Sequence, residues 1–108
     1  MAKSRSLSSV TTASVGLAFP IYRADRAWRF IAMQVHTTGE PTGGQVILEG
    51  SINGSQYFTL GSWTAGSDPP EVPIVSDGIP VRFVRSTCTS PPSGGSSPTF
   101  SADIAWSE

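Results

Sequence analysis

The sequence predicts an all-β protein, a small two-sheet antiparallel β-sandwich of jelly-roll-like type with six to eight strands and an extended N-terminal arm. Three observations predict it. Several short runs alternate apolar and polar side chains with the two-residue period of a pleated strand. The runs are separated by turn-forming residues, among them Asn53-Gly54 and Asp77-Gly78. The chain of 108 residues holds 11 glycines and 9 prolines and is only 14% charged, well below the roughly 25% of an average domain. Its 38% apolar content is too high for a disordered chain, so a turn-rich β domain is the composition that fits.

The firmest local signal lies at residues 43–60. Val46 and Leu48 alternate with Ile47 and Glu49, Tyr57 and Thr59 alternate with Phe58 and Leu60, and Asn53-Gly54 between them suits a tight type I′ hairpin turn. Upstream, residues 1–14 are rich in Ser and Thr with scattered Leu7 and Val10 and show no face to bury. They read as an arm that orders by lying on a partner, and residues 15–108 as the sandwich domain.

Val15, Leu17 and Phe19 share one face of a short strand that Pro20 ends. Residues 21–27 read as a loop. Residues 28–37 form the longest strand candidate, with Trp28, Phe30 and Ala32 on one face and Ile31, Met33 and Val35 on the other. Beyond the hairpin, residues 61–71 read as a polar excursion around Trp63, and residues 72–75 as a short edge strand interrupted by Pro73. Val81, Phe83 and Arg85 alternate with Arg82 and Val84 in the next strand, the Ser/Gly/Pro stretch 90–98 reads as a mobile loop, and the final strand turns Phe100, Ala102, Ile104 and Trp106 inward.

The net charge of −1 hides an uneven split. Lys3, Arg5, Arg23, Arg26 and Arg29 face only Asp25 in the first 29 residues, whereas the remainder is acidic. The basic end therefore points to an acidic partner, and another copy of the chain qualifies. Nucleic acid is not expected, because the cations are few and lack an interleaved aromatic pattern. No run is long and apolar enough to span a membrane, and the start of the chain shows no secretory signal, so synthesis in a cytoplasm is expected.

Candidate chemistry is sparse. The single Cys88 excludes an internal disulfide and any multi-thiolate metal centre, and reads as a buried thiol. His36 is the one histidine and stands in no triad or metal motif. The carboxylates are dispersed: Glu49 and Asp103 in strands suggest no more than a chance pair, and Asp68 and Asp77 lack calcium-loop spacing. Catalysis, metals and cofactors are accordingly not expected. Trp28 and Trp106 fall on strand patterns and read as core, while Trp63 in its Gly/Ser-rich surroundings reads as an exposed loop aromatic, by itself a weak signal of glycan binding.

The words Glu49-Gly-Ser at the end of a strand, Asn53-Gly54, then Phe58 and Leu60, with Arg82-Phe-Val84 further on, resemble a pattern in small β-sandwich proteins of tailed bacteriophage virions. The match runs over roughly residues 45–106, and the same words occur in capsid decoration proteins, head fibres and tail proteins. The resemblance implies a non-enzymatic virion protein, foremost a capsid decoration or cement protein bound to the major capsid protein or another virion protein, and itself a homo-oligomer. Its partner-binding residues would be Lys3, Arg5, Leu7 and Val10 of the arm with the cluster Arg23, Arg26 and Arg29. The alternatives are a glycan- or host-binding module of a fibre, with Trp63 exposed, and a tail or head–tail completion protein.

Overall fold

The computed structural model describes residues 2–21, 30–77 and 81–107. Among them nine strands form and no helix: β1 (Ala2–Val10), β2 (Ser14–Val15), β3 (Phe19–Pro20), β4 (Phe30–Thr38), β5 (Gly43–Ser51), β6 (Tyr57–Thr64), β7 (Ile74–Asp77), β8 (Phe83–Ser93) and β9 (Thr99–Ser107). They build two antiparallel sheets. One has the order β1-β9-β4-β7, the other β2-β8-β5-β6 with β3 also on β8. Because β2 pairs with Thr87 and Cys88 and β3 with Phe83 and Val84, the two are halves of one broken strand.

The pairings are nested. Strand β5 pairs with β6, β4 with β7, β2–β3 with β8, and β1 with β9, as in a long ribbon folded about the β5–β6 tip. Two further pairings, β4 with β9 and β5 with β8, wrap that ribbon into two facing sheets. This is the jelly roll, here with eight strand positions.

Alternation decides what each strand buries. Ile31, Met33 and Val35 of β4 lie opposite Trp106, Ile104 and Ala102 of β9, and all six are buried. From the facing sheet come Val46 and Leu48 of β5, and Val84 and Cys88 of β8. Trp63 and Phe100 meet edge to face across the sandwich, with ring centroids 5.3 Å apart. Phe19 stacks on Trp106 at 6.1 Å and closes one end.

Several expectations are corrected. The β5–β6 connection is not a two-residue turn: Ser51 pairs with Tyr57, leaving five residues between the strands. Asn53 Oδ1 accepts the amides of Ser55 and Gln56, and Ser51 Oγ accepts that of Gly54, so side chains rather than a type I′ turn satisfy the tip. The stretch 90–98 is half strand, with Gln45 opposite Ser90 and Gly43 opposite Ser93. Pro91 and Pro92 fit there because β2 reaches only to Cys88, so β8 beyond that point has a neighbour on one side alone. Val15, Leu17 and Phe19, expected to share one face of a single strand, fall in two pieces and differ in burial: Val15 and Leu17 are 62% and 66% exposed, while Phe19 packs against the core.

The largest correction concerns the arm. Residues 2–10 are an integral strand, paired with β9 from Ala2 opposite Trp106 to Val10 opposite Phe100. Leu7 is buried in the chain's own core, and Val10 packs against it. Neither is available to a partner. The signal was hidden because a serine takes a core position beside them. Ser6 is 5% exposed; its Oγ donates to the Leu17 carbonyl at 2.8 Å and accepts the Ser86 amide at 2.9 Å. The Leu17 amide returns a bond to the Ser6 carbonyl, and the Gly16 amide bonds the Ser86 carbonyl. One knot thus joins β1 of the first sheet to β2 and β8 of the second.

Gly16 has no room for a side chain in that knot. A Cβ there would lie 2.5 Å from the Ser86 carbonyl oxygen and 2.7 Å from that of Ser6, both backbone atoms, and would also strike Ser6 Oγ. Gly16→Val is expected to cost about 1–3 kcal/mol or more through overpacking, read as a lower urea midpoint. Ser86 Oγ, by contrast, is buried with no hydrogen-bond partner among the described residues. Ser86→Ala removes an unsatisfied hydroxyl and keeps the backbone bonds, so unfolding should show stability unchanged or raised by up to about 1 kcal/mol.

Candidate functional site

Strand register brings together charged residues that are far apart in the chain. On the outer face of the first sheet, Arg5 of β1 lies opposite Asp103 of β9, and Arg5 Nε and Nη2 donate to the two Asp103 oxygens at 2.8 and 3.2 Å. His36 of β4 follows: its Nε2 is 2.9 Å from Asp103 Oδ2 and its Nδ1 is 2.6 Å from Glu71 Oε2. Gln34 Nε2 donates to the Glu71 carbonyl, and the Glu71 amide to the Val35 carbonyl, so the segment before β7 is tied to β4. Four side chains therefore form a line, Arg5–Asp103–His36–Glu71, across the sheet.

That line does not make a catalytic site of known type. A histidine acting as a base toward a nucleophile needs one nitrogen free to face it, whereas both His36 nitrogens meet carboxylates. The arrangement holds strands in register. The Asp103 side chain is only 7% exposed. Its bond from Arg5, with that of His36 behind it, holds the carboxyl below the usual carboxylate range against the opposing effect of burial.

The second sheet carries a shorter counterpart. Glu49 of β5 lies opposite Arg85 of β8 and accepts from Arg85 Nε at 3.0 Å and from the Thr87 hydroxyl. The Arg85 guanidinium also sits 3.7 Å over the Tyr57 ring, a cation–π contact that uses the remaining face of the charge. Glu49 and Asp103, the two strand carboxylates, are each bonded to an arginine and lie on the outer faces of opposite sheets.

The remaining candidates are distributed as follows. Trp63 is 1% exposed, which overturns the expectation of an exposed loop aromatic. It belongs to β6, its ring packs on Phe100, and its Nε1 donates to the Pro69 carbonyl at 3.0 Å, so its polar atom is satisfied inside the protein. A shallow pocket of about 390 Å³ lies beside it, lined in part by Thr37, Glu40, Asp68 and Pro70. Lys3 is placed on β1 opposite Ala105, and the Arg5 side chain is half-exposed. Arg23, Arg26 and Arg29 lie outside the described residues. Cys88 is buried, as its strand position suggests, and burial pushes its thiol up.

Large apolar side chains remain exposed in two regions. Val15 and Leu17 lie on or beside β2, while Ile52, Phe58, Val72 and Val75 lie on β6, β7 and the segments leading into them. Phe58 belongs to the words that carry the virion resemblance, and Ile52 lies within the same hairpin. Their exposure follows from topology, because these elements border the sheets.

No family model matches the chain, and no curated protein matches it. Among solved structures, the crystal structure of the SPBc2 prophage-derived protein YomS matches over 98% of this chain and 92% of its own, with a TM-score of 0.67 and 12% identity. The C-terminal domain of a chitobiase from Bacteroides fragilis matches over 75% of this chain and 56% of its own, with a TM-score of 0.44 and 11% identity. The likeness to YomS is one of fold, and it runs from end to end.

The ion line makes acid stability testable. The folded Asp103 carboxyl titrates below its unfolded value of about 3.9, so its contribution is present above that value and fades as pH falls through the folded one. Asp103→Asn should lower stability at pH 7 by about 1 kcal/mol, a modest figure because half-exposed Arg5 is screened. It should also flatten the loss of stability on acidification in urea titrations run at successive pH values.

Proposed function

We propose that this chain is a non-enzymatic structural protein of a phage particle, in first place a decoration protein on the assembled capsid. The observation that carries the reading is the end-to-end fold match to a prophage-derived protein, made by a jelly roll of nearly the same length. The sequence words of the β5–β6 ribbon and of β8 point the same way. Two further features are compatible with it. The charged clusters on the sheet faces are used to join neighbouring strands, and the exposed apolar side chains border the sheets.

The attachment surface in this proposal differs from a docked arm. Residues 2–10 hold the sandwich together and would not be released to grip a shell. The sheet edges and the loops beside them remain, and many weak contacts of that kind gain strength when copies repeat around a symmetric particle. A glycan-binding module has less support, since Trp63 is turned into the core.

Copy number decides between the virion locations. Quantitative mass spectrometry of particles produced by the encoding phage or prophage should find the chain in hundreds of copies, removable without loss of the capsid shell. Tens of copies or fewer would place it at the tail or a vertex, and absence from particles would end the virion reading.

A further inference from the structure

We propose that residues 69–73 form a proton-controlled strap, latched against Trp63 and β4 by the protonated His36 imidazole and loosened when that imidazole loses its proton.

The strap carries the chain from the end of β6 in one sheet to β7 in the other, and its sequence is Pro-Pro-Glu-Val-Pro. The turn before it is firmly held. The Ala65 amide bonds the Gly44 carbonyl, the Thr64 amide donates to Asp68 Oδ2 at 2.8 Å, and the Ser67 and Asp68 amides bond the Thr64 carbonyl. Within the strap, three of five residues are prolines with no amide to give. The Pro69 carbonyl takes the Trp63 indole N–H. Glu71 makes the ties to β4. Its amide donates to the Val35 carbonyl at 2.9 Å, its carbonyl takes Gln34 Nε2 at 2.6 Å, and its Oε2 lies 2.6 Å from His36 Nδ1. Glu71 sits there under strain, with φ at +70°, in the left-handed region that a side chain disfavours.

Protonation decides whether the side-chain tie is attractive. An imidazolium donates from both nitrogens, whereas a neutral imidazole donates from one and accepts at the other. His36 has a carboxylate oxygen at each nitrogen, Glu71 Oε2 at Nδ1 and Asp103 Oδ2 at Nε2. Only the imidazolium satisfies both. Once the proton leaves, one nitrogen turns a lone pair toward a carboxylate, and the two contacts are unequal. The Asp103 side chain is 7% exposed and gripped through both oxygens by Arg5, so it cannot withdraw. The Glu71 side chain is 56% exposed and can turn to water. The remaining proton therefore stays on Nε2, and Glu71 is the partner released.

The charges around the imidazole are Asp103 of β9, with Arg5 of β1 behind it, and Glu71 of the strap. Gln34, two residues earlier on β4, is neutral, and Asp77 of β7 lies opposite Phe30 at the far end of β4. Without the His36 contact, two bonds remain at Glu71 to hold a strained residue in place. Loosening the strap frees the Trp63 indole N–H and widens the pocket that Pro70 lines from one side and Thr37 and Thr42 from another. Histidine changes charge between about pH 5 and 8, so the latched strap belongs to the acidic side of that range and the loosened one to the basic side. This inference concerns the chain by itself and does not rest on the virion reading.

Hydrogen exchange followed by NMR at about pH 5 and about pH 8, with rates corrected for the intrinsic effect of pH, tests the latch. In the wild type the Glu71 amide and the Trp63 indole N–H are expected to lose protection together as pH rises, by about two- to fivefold, the scale of a part-exposed ion pair. Both should be less protected than the β5 amides, which marks a local opening. In Glu71→Gln the side-chain amide can accept from Nδ1–H or donate to a bare Nδ1, so the pH response should disappear. His36→Gln cannot titrate and should likewise show none. Equal protection at both pH values in the wild type, a loss confined to the Glu71 amide, protection equal to that of the β5 amides, or a pH response that persists in either variant would each overturn the proposal.

Discussion

The knot of Ser6, Gly16, Leu17 and Ser86 is the constraint on which the rest of the molecule depends. It joins the first strand of one sheet to the other sheet through three hydrogen bonds, a fourth runs from the Gly16 amide to the Ser86 carbonyl, and only glycine fits at its centre. Without β1, strand β9 would become an edge, and Ile104 and Trp106 would lose the strand beside them. The knot also explains why a serine occupies a buried position in a strand with few apolar residues: its hydroxyl both donates and accepts, which an apolar side chain of similar size cannot do. A buried polar group of this kind is stabilising only while every member keeps its partner. Ser86 shows the limit of the arrangement, since its backbone belongs to the knot while its own hydroxyl has no partner among the described residues.

Charge is deployed in a complementary way. The Arg5–Asp103–His36–Glu71 line spans β1, β9 and β4 and reaches the segment before β7, and Glu49–Arg85 joins β5 to β8. Each group binds strands that are distant in sequence but adjacent in the sheet. Beyond the stability each pair contributes, they act on register, because a one-residue slip would carry each member to the opposite face. With these clusters on the sheet faces, β2, β3 and β6 hold no ionised residue of their own, and Asp68 beyond the end of β6 bonds the Thr64 amide.

The fold class was legible because alternation is a local property. Residues 100–106 show which side chains point inward without reference to any other strand, whereas residues 30–35 are apolar on both faces and reveal only a strand. The arm was misread for a physical reason: Ser6 is polar in composition but buried in place, and only the register of β1 against β9 reveals it. Trp63 was misread because Gly, Ser and Pro around it suggest a loop, whereas the Pro69 carbonyl satisfies its indole and lets the ring enter the core. The β5–β6 tip shows the same effect at small scale, with Ser51 and Asn53 side chains supplying acceptors that override the two-residue turn favoured by Asn-Gly. None of the Arg5–Asp103–His36–Glu71 line could be anticipated, since Arg5 and Asp103 are 98 residues apart.

The β5–β6 ribbon now has a different meaning from a strong local hairpin. As the innermost pair of the nested set, it is the tip about which the whole chain folds back, and it also leaves β6 at the margin of the finished sheet. Those two facts are linked by the topology. In a jelly roll the central ribbon contributes one strand to the sheet interior, here β5 against β8, and one to its border. The border strand must then be either blunted or paired. Here it is blunted in part, by the bulge at Leu60 and by Asp68, whose Oδ2 takes the Thr64 amide while the Thr64 carbonyl takes the Ser67 and Asp68 amides.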